Sequence, residues 1–180
     1  MTSVFSLDAA LIDATAQRGE YVWGVDPALS RLAVAFAAVD SDTVDVRTLI
    51  SRTEEREGAR LGLLDSQVRI WARQLAGTYP PACVWVEQAS GRFPNPQLAY
   101  CVGVVQAALY EALGVPVWSI PSGKWKRSSV GYGNASKAQV GAWVDRLGIE
   151  VHGQDEADAV AIACAGRAML RAGAWDAVAS

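Results

Sequence analysis

Between Tyr21 and Ile50 the chain passes through three β-rich stretches whose connections are too short for anything but tight turns. Val22, Trp23 and Val25 form the first, and Asp26-Pro27 ends it because that pair favours a turn. RLAVAFAAV is the second stretch and TVDVRTLI the third. Strands joined this closely imply an antiparallel meander. The period then changes. Leu61, Leu64, Val68, Trp71 and Leu75 recur at three and four residues, which marks one face of a helix. GTYPP stops it, and ACVWVEQ follows as a continuous apolar run of the kind found in buried central strands.

The second half repeats the alternation of strand and helix. A helix over Pro96–Leu113 ends at Gly114, VPVWSIP supplies a fifth strand, and Ser136 caps a helix carrying Val140, Trp143, Val144 and Leu147. A closing helix runs from near Asp155 to about Arg171, with Gly173 after it. A short helix, Leu7–Gln17, precedes the first strand. The order β-β-β-α-β-α-β-α-α implies an α/β fold, a mixed five-stranded sheet with helices on both faces.

A chain of 180 residues, 51% hydrophobic and 19% charged, suits one folded domain and argues against disorder. Val102–Leu109 and Ala157–Gly166, its longest apolar stretches, are too short to cross a bilayer, and no secretory leader is expected at the N-terminus. Cys83, Cys101 and Cys164 are odd in number, lie in apolar contexts and lack paired spacing, so they read as buried thiols. His152, the one histidine, cannot build a His-based metal cage and reads as a solvated loop residue.

Charge is unevenly spread. The net charge is −3, yet residues 118–147 hold Lys124, Lys126, Arg127, Lys137 and Arg146 against Asp145 alone. A basic segment inside an acidic protein fits a phosphate-facing surface, and an ordinary solvated face fits it too.

The acids separate these alternatives. DEADAVAIA places Asp155, Glu156 and Asp158 at the mouth of an apolar run. Taken alone, the stretch reads as a helix start with Asp155 as cap and acids favoured by the helix dipole. Asp26 ends strand one and Glu87 ends strand four, and either alone reads as a turn former or a polar strand exit. If those strands are neighbours, Asp26 and Glu87 meet where strand ends collect functional groups. Asp155 and Asp158, three apart on a helix, point to one side. Of four converging carboxylates without counter-charge some would have to bind protons, and magnesium, which prefers oxygen ligands, removes that frustration.

Four places, GVDPALSRLAVA, VWVEQ, KRSSVGYGNASKAQV and DEADAVAIA, together resemble the RuvC family of Holliday-junction resolvases within the RNase H-like nucleases. The last two, in this order, carry most of the resemblance. It implies a nuclease domain over residues 21–175, an N-terminal extension over 1–20 and a short tail over 176–180. It implies a homodimeric endonuclease that nicks two strands of a four-way DNA junction symmetrically, in the cytoplasm of a bacterium or a phage-infected host. Asp26, Glu87, Asp155 and Asp158 would ligate two Mg²⁺ ions, with Mn²⁺ able to substitute, while Glu156 falls outside the Asp-x-x-Asp pair. Two-metal hydrolysis needs no protein nucleophile. Lys137 would stabilise charge on the scissile phosphate, and Lys126, Lys124 and Arg127 would hold DNA backbone. Gly131 and Gly133 would let the loop approach the strand, or would simply form a turn. Phe93 would stack on an unpaired base, or pack locally. A broader nuclease for flaps and forks, or a non-catalytic junction binder, shares most of these features. The alanine-rich, arginine-over-lysine composition points to a GC-rich bacterium or its phage.

Overall fold

The computed structural model describes residues 19–50, 57–89 and 96–173. Strands β1 (Tyr21–Asp26), β2 (Arg31–Ala38) and β3 (Val44–Ile50) form the expected meander, with Val25 opposite Val34 and Ala35 opposite Val46. Strand β4 (Pro81–Glu87) lies parallel to β1, placing Val86 beside Val25. Strand β5 (Val117–Ile120) lies parallel to β4 and completes a mixed sheet of order β3-β2-β1-β4-β5.

Side-chain alternation divides the core in two. Trp23, Val25, Val34, Phe36, Val84 and Val86 face helices α1 (Glu57–Ala76) and α2 (Pro96–Leu113), where they meet Leu64, Val68, Val105 and Leu109. The opposite face, Val22, Ala33, Ala35, Cys83 and Trp85, lies under α3 (Ser122–Ser129), α4 (Lys137–Arg146) and α5 (Gln154–Arg171). The inner face of α1 runs through Leu64, Val68 and Ala72, with Leu61, Trp71 and Leu75 half-buried at its margins.

Helix α5 is buried along most of its length because its sequence is a run of small residues that lets backbone approach backbone. A Cβ added at Gly24 of β1 would lie 2.2 Å from the Ala163 amide nitrogen and 2.5 Å from the Ala159 carbonyl oxygen. One added at Gly166 would lie 2.2 Å from Cδ1 of Trp85. The two glycines thus press α5 onto β1 and β4, and this contact holds its first turn near the ends of those strands. Overpacking of this kind costs about 1–3 kcal/mol or more.

Four expectations need correction or restriction. The element order gains a helix, α3, because SGKWKRSS has no apolar three-four repeat to announce it and buries Trp125 alone. Asp155 does not cap α5: Gly153 occupies the cap position, no side chain bonds there, and Asp155 lies in the first turn. The helix expected at Leu7–Gln17 and the aromatic Phe93 lie outside the described residues. Ser136 does cap α4, its hydroxyl accepting from the Gln139 amide at 3.3 Å while Gln139 Oε1 accepts from the Ser136 amide at 2.9 Å. Cys83, Cys101 and Cys164 are buried free thiols. No helix among the described residues is long and apolar enough to cross a membrane.

Candidate active site

Strands β1 and β4 are parallel and adjacent, so their last residues, Asp26 and Glu87, share one edge of the sheet. Alternation then fixes the side. Asp26 follows Val22 and Gly24, and Glu87 follows Cys83 and Trp85, onto the face covered by α5. Helix α5 brings Asp155 and Asp158 to the same place. Asp26 feels the charges of all three other acids.

The carboxyl of Asp26 is pushed up to about 8, first by burial and then by Glu87, Asp158 and Asp155. A hydrogen bond with Glu87 adds to the rise, so the two carboxyls hold a proton between them well above the usual carboxylate range. Burial also raises Glu87, with Asp158 adding to it and the Trp125 hydrogen bond opposing it. Asp158 is raised by burial, against the pull of its bond from Gln154 and the charges of Lys126 and Lys137. The expected acids and the expected lysine pair therefore meet at one site.

Two further side chains hold this cluster in place. The Trp125 indole Nε1 donates to Glu87 Oε1 at 3.2 Å, and Lys126 Nζ lies 5.3 Å from the centre of the same ring. Gln154 Nε2 donates to Asp158 Oδ1 at 2.8 Å. Sequence reasoning missed both. The signals were present: a tryptophan in a polar octapeptide needs a partner for its N–H, and Gln154 precedes Asp158 by one helical turn.

Glu156 turns away from the cluster. Its Oε1 accepts from the Thr48 hydroxyl at 2.5 Å and its Oε2 from the His152 amide at 2.6 Å. These bonds hold its carboxyl below the usual range despite burial, and they fasten β3 to the turn entering α5. His152 itself is exposed.

Lys124, Arg127, Gly131 and Gly133 gather in a groove beside α3. Gly131 has φ +106°, a left-handed conformation that favours glycine. A Cβ at Gly133 would lie 2.7 Å from the Gly123 carbonyl oxygen. Both glycines are thus required by the fold of the loop.

The donor set is oxygen alone, four carboxylates against two lysines, and it suits a hard divalent cation. A half-buried aspartate whose pKa is raised by burial and by neighbouring acids is the kind of group a dication would free of its proton. Among the described residues no group of three or more His, Cys, Asp or Glu side chains stands in ion-holding geometry, so a cation would have to draw these carboxylates inward.

No protein-family model matches the chain. Individual proteins do. The crossover junction endodeoxyribonuclease RuvC of Paracidovorax citrulli is 32% identical over 166 residues, which is 84% of this chain and 88% of that protein. Its counterpart in Streptomyces avermitilis is 32% identical over 154 residues, 79% of this chain and 84% of the relative. The structure of Thermus thermophilus RuvC in complex with Holliday junction substrate matches with a TM-score of 0.70 at 26% identity, covering 86% of this chain and 96% of that one. The yeast mitochondrial Holliday junction resolvase Ydc2, at 15% identity and a TM-score of 0.60, shares the fold.

Proposed function

This chain belongs to the RuvC family of crossover junction endodeoxyribonucleases, and from that premise we propose that it resolves four-way DNA junctions by paired, symmetric nicks. One observation carries the reading: Asp26 lies half-buried at the end of β1 beside Glu87, within reach of the charges of Asp155 and Asp158, and burial together with those like charges pushes its pKa up to about 8.

Asp26, Glu87, Asp155 and Asp158 would hold two Mg²⁺ ions, with Mn²⁺ able to substitute. Bound divalent ions supply Lewis-acid polarisation of the scissile phosphate and activation of water. The protein's own groups do the rest. Asp26 gives up the proton it shares with Glu87, so ligand strength at this site rises with pH toward about 8. Trp125 holds one oxygen of Glu87 and so fixes the carboxylate's orientation beside Asp26. Lys137, close enough to Asp158 to lower its pKa, donates to the phosphate undergoing attack. Lys126, over the Trp125 ring, holds a neighbouring phosphate, and Lys124 and Arg127 extend the contact along the backbone.

Paired nicks across a two-fold junction suit a two-fold enzyme. Helix α2 supports this reading by exposing Tyr100, Gly103, Ala107 and Tyr110 at helical spacing on the side away from the sheet. Digestion of a mobile four-way junction beside a matched flap in magnesium, with products mapped on both strands, tests the proposal. Near-symmetric paired nicks and preference for the junction are expected. Equal rates on every branched form would make the protein a broader structure-specific nuclease instead.

A further inference from the structure

Resting on that reading of the function, we propose that the groove beside α3 is a subsite for one unstacked nucleotide of the bound strand, with Tyr132 as the platform for its base. The groove is lined by Lys124, Arg127, Gly131, Tyr132, Asn134 and Met169. Tyr132 is 43% exposed at the tip of the loop between α3 and α4. Its backbone is fixed on both sides. The Gly131 amide donates to the Lys126 carbonyl at 3.2 Å, and the Ala135 amide donates to the Tyr132 carbonyl at 3.3 Å. The left-handed Gly131 and the close contact of Gly133 with Gly123 set the remaining geometry. An aromatic ring presented on an ordered turn loses little freedom on binding.

The surroundings select the ligand. Lys124 and Arg127 supply charge for phosphate, the ring supplies a face for any base, and the Asn134 amide can pair with a base edge. In an intact duplex both faces of each base are covered, so a side chain cannot stack on one. A four-way junction supplies bases at its crossover that are freer to leave the stack. The position is suitable as well. Asn134 is three residues from Lys137, so the near end of the groove lies within about 11 Å of it. Met169 follows Asp158 on α5 by eleven residues, which places the far end about 16 Å along the helix from the acids. That span corresponds to about five stacked nucleotides, and fewer where the strand is drawn out.

The test uses the full chain in EDTA with junctions carrying 2-aminopurine at successive positions from one to six nucleotides on either side of the crossover. Wild-type protein should change the fluorescence at one or two of these positions and leave a matched duplex unaffected. Tyr132→Ala should abolish that change and weaken junction binding roughly tenfold, with the salt dependence unaltered, whereas Tyr132→Trp should restore both. Equal affinity and equal fluorescence for Tyr132→Ala would overturn the subsite while leaving junction recognition intact. A wild-type protein that binds junction no better than duplex would overturn the function reading and the subsite together. Loss of affinity in Tyr132→Ala with no position-specific fluorescence change in the wild type would reduce Tyr132 to a contact with the sugar-phosphate backbone, and the subsite would again fail.

Discussion

Glu156 and Asp158 lie two residues apart on the same helix and are buried to nearly the same degree, yet their pKa values are displaced in opposite directions. Glu156 has two hydrogen-bond donors and a lowered pKa. Asp158 is raised by burial, against its hydrogen bond from Gln154 and the charges of Lys126 and Lys137, and its own charge raises Asp26 and Glu87. Nearly equal exposure thus leaves two carboxyls displaced in opposite directions, and half a helical turn decides which partners each one meets. Glu156 faces the edge strand β3 and fastens the helix start to it. Asp158 faces the strand ends and adds to an unbalanced charge.

The largest way to break this comparison is to remove charge from each side in turn. Asp26→Asn keeps the shape and removes a ligand, so cleavage of a four-way junction should fall by about a thousandfold while binding stays within a few-fold. Gel-shift and nicking assays on one substrate measure both. Full cleavage by this variant would erase the distinction between the two acids. Glu156→Ala should do the reverse. It strands the Thr48 hydroxyl and the His152 amide, lowering stability by about 1–2 kcal/mol in urea unfolding, and it leaves nicking by the folded protein largely intact. Loss of cleavage without loss of stability would place Glu156 among the ligands.

The two carboxylates should also divide the pH axis. A native pKa raised from 3.8 to about 8 means that folded Asp26 holds a proton the unfolded chain has released. In EDTA its contribution to stability is full below pH 3.8 and is lost as pH rises toward about 8. Asp26→Asn should flatten that decline. Glu156, with a lowered pKa, contributes stability above its ordinary value of 4.5 and loses it as the solution becomes more acidic, so Glu156→Gln should flatten the acid limb. Thermal midpoints from pH 3 to 9 (an interval set by those two limits) distinguish these slopes, and a decline unchanged by Asp26→Asn would contradict the assignment. The smallest effect concerns Lys126. Lys126→Ala should weaken junction binding and reduce the slope of log affinity against log salt by about one. An unchanged slope would take Lys126 off the DNA surface.

Much of this arrangement was legible in the sequence because it depends on periodicity. Short turns after Asp26 and before Thr43 announced the meander, and the apolar run ending at Glu87 marked a central strand, which the structure places beside β1. With those two strands adjacent, Asp26 and Glu87 had to share an edge, and Asp155 and Asp158 had to share a side of α5. What could not be read were features without a repeat. Helix α3 is polar apart from Trp125, so no repeat announces it, and although the Trp125 N–H called for a partner, nothing in the sequence said that the partner was Glu87. The role of Glu156 depends on Thr48, 108 residues earlier, a contact only tertiary structure creates. The cap of α5 was misplaced because acids in a first turn and an acid at the cap look alike in one dimension.

The central claim is that Asp26 and its neighbours hold a divalent cation and Glu156 does not. Mn²⁺ uptake by the full chain at pH 8 without DNA, followed by the paramagnetic resonance signal of the free ion, tests it most directly. Wild type and Glu156→Gln should deplete the free signal equally, and Asp26→Asn should leave it close to that of buffer. Equal uptake by Asp26→Asn and wild type would contradict the account.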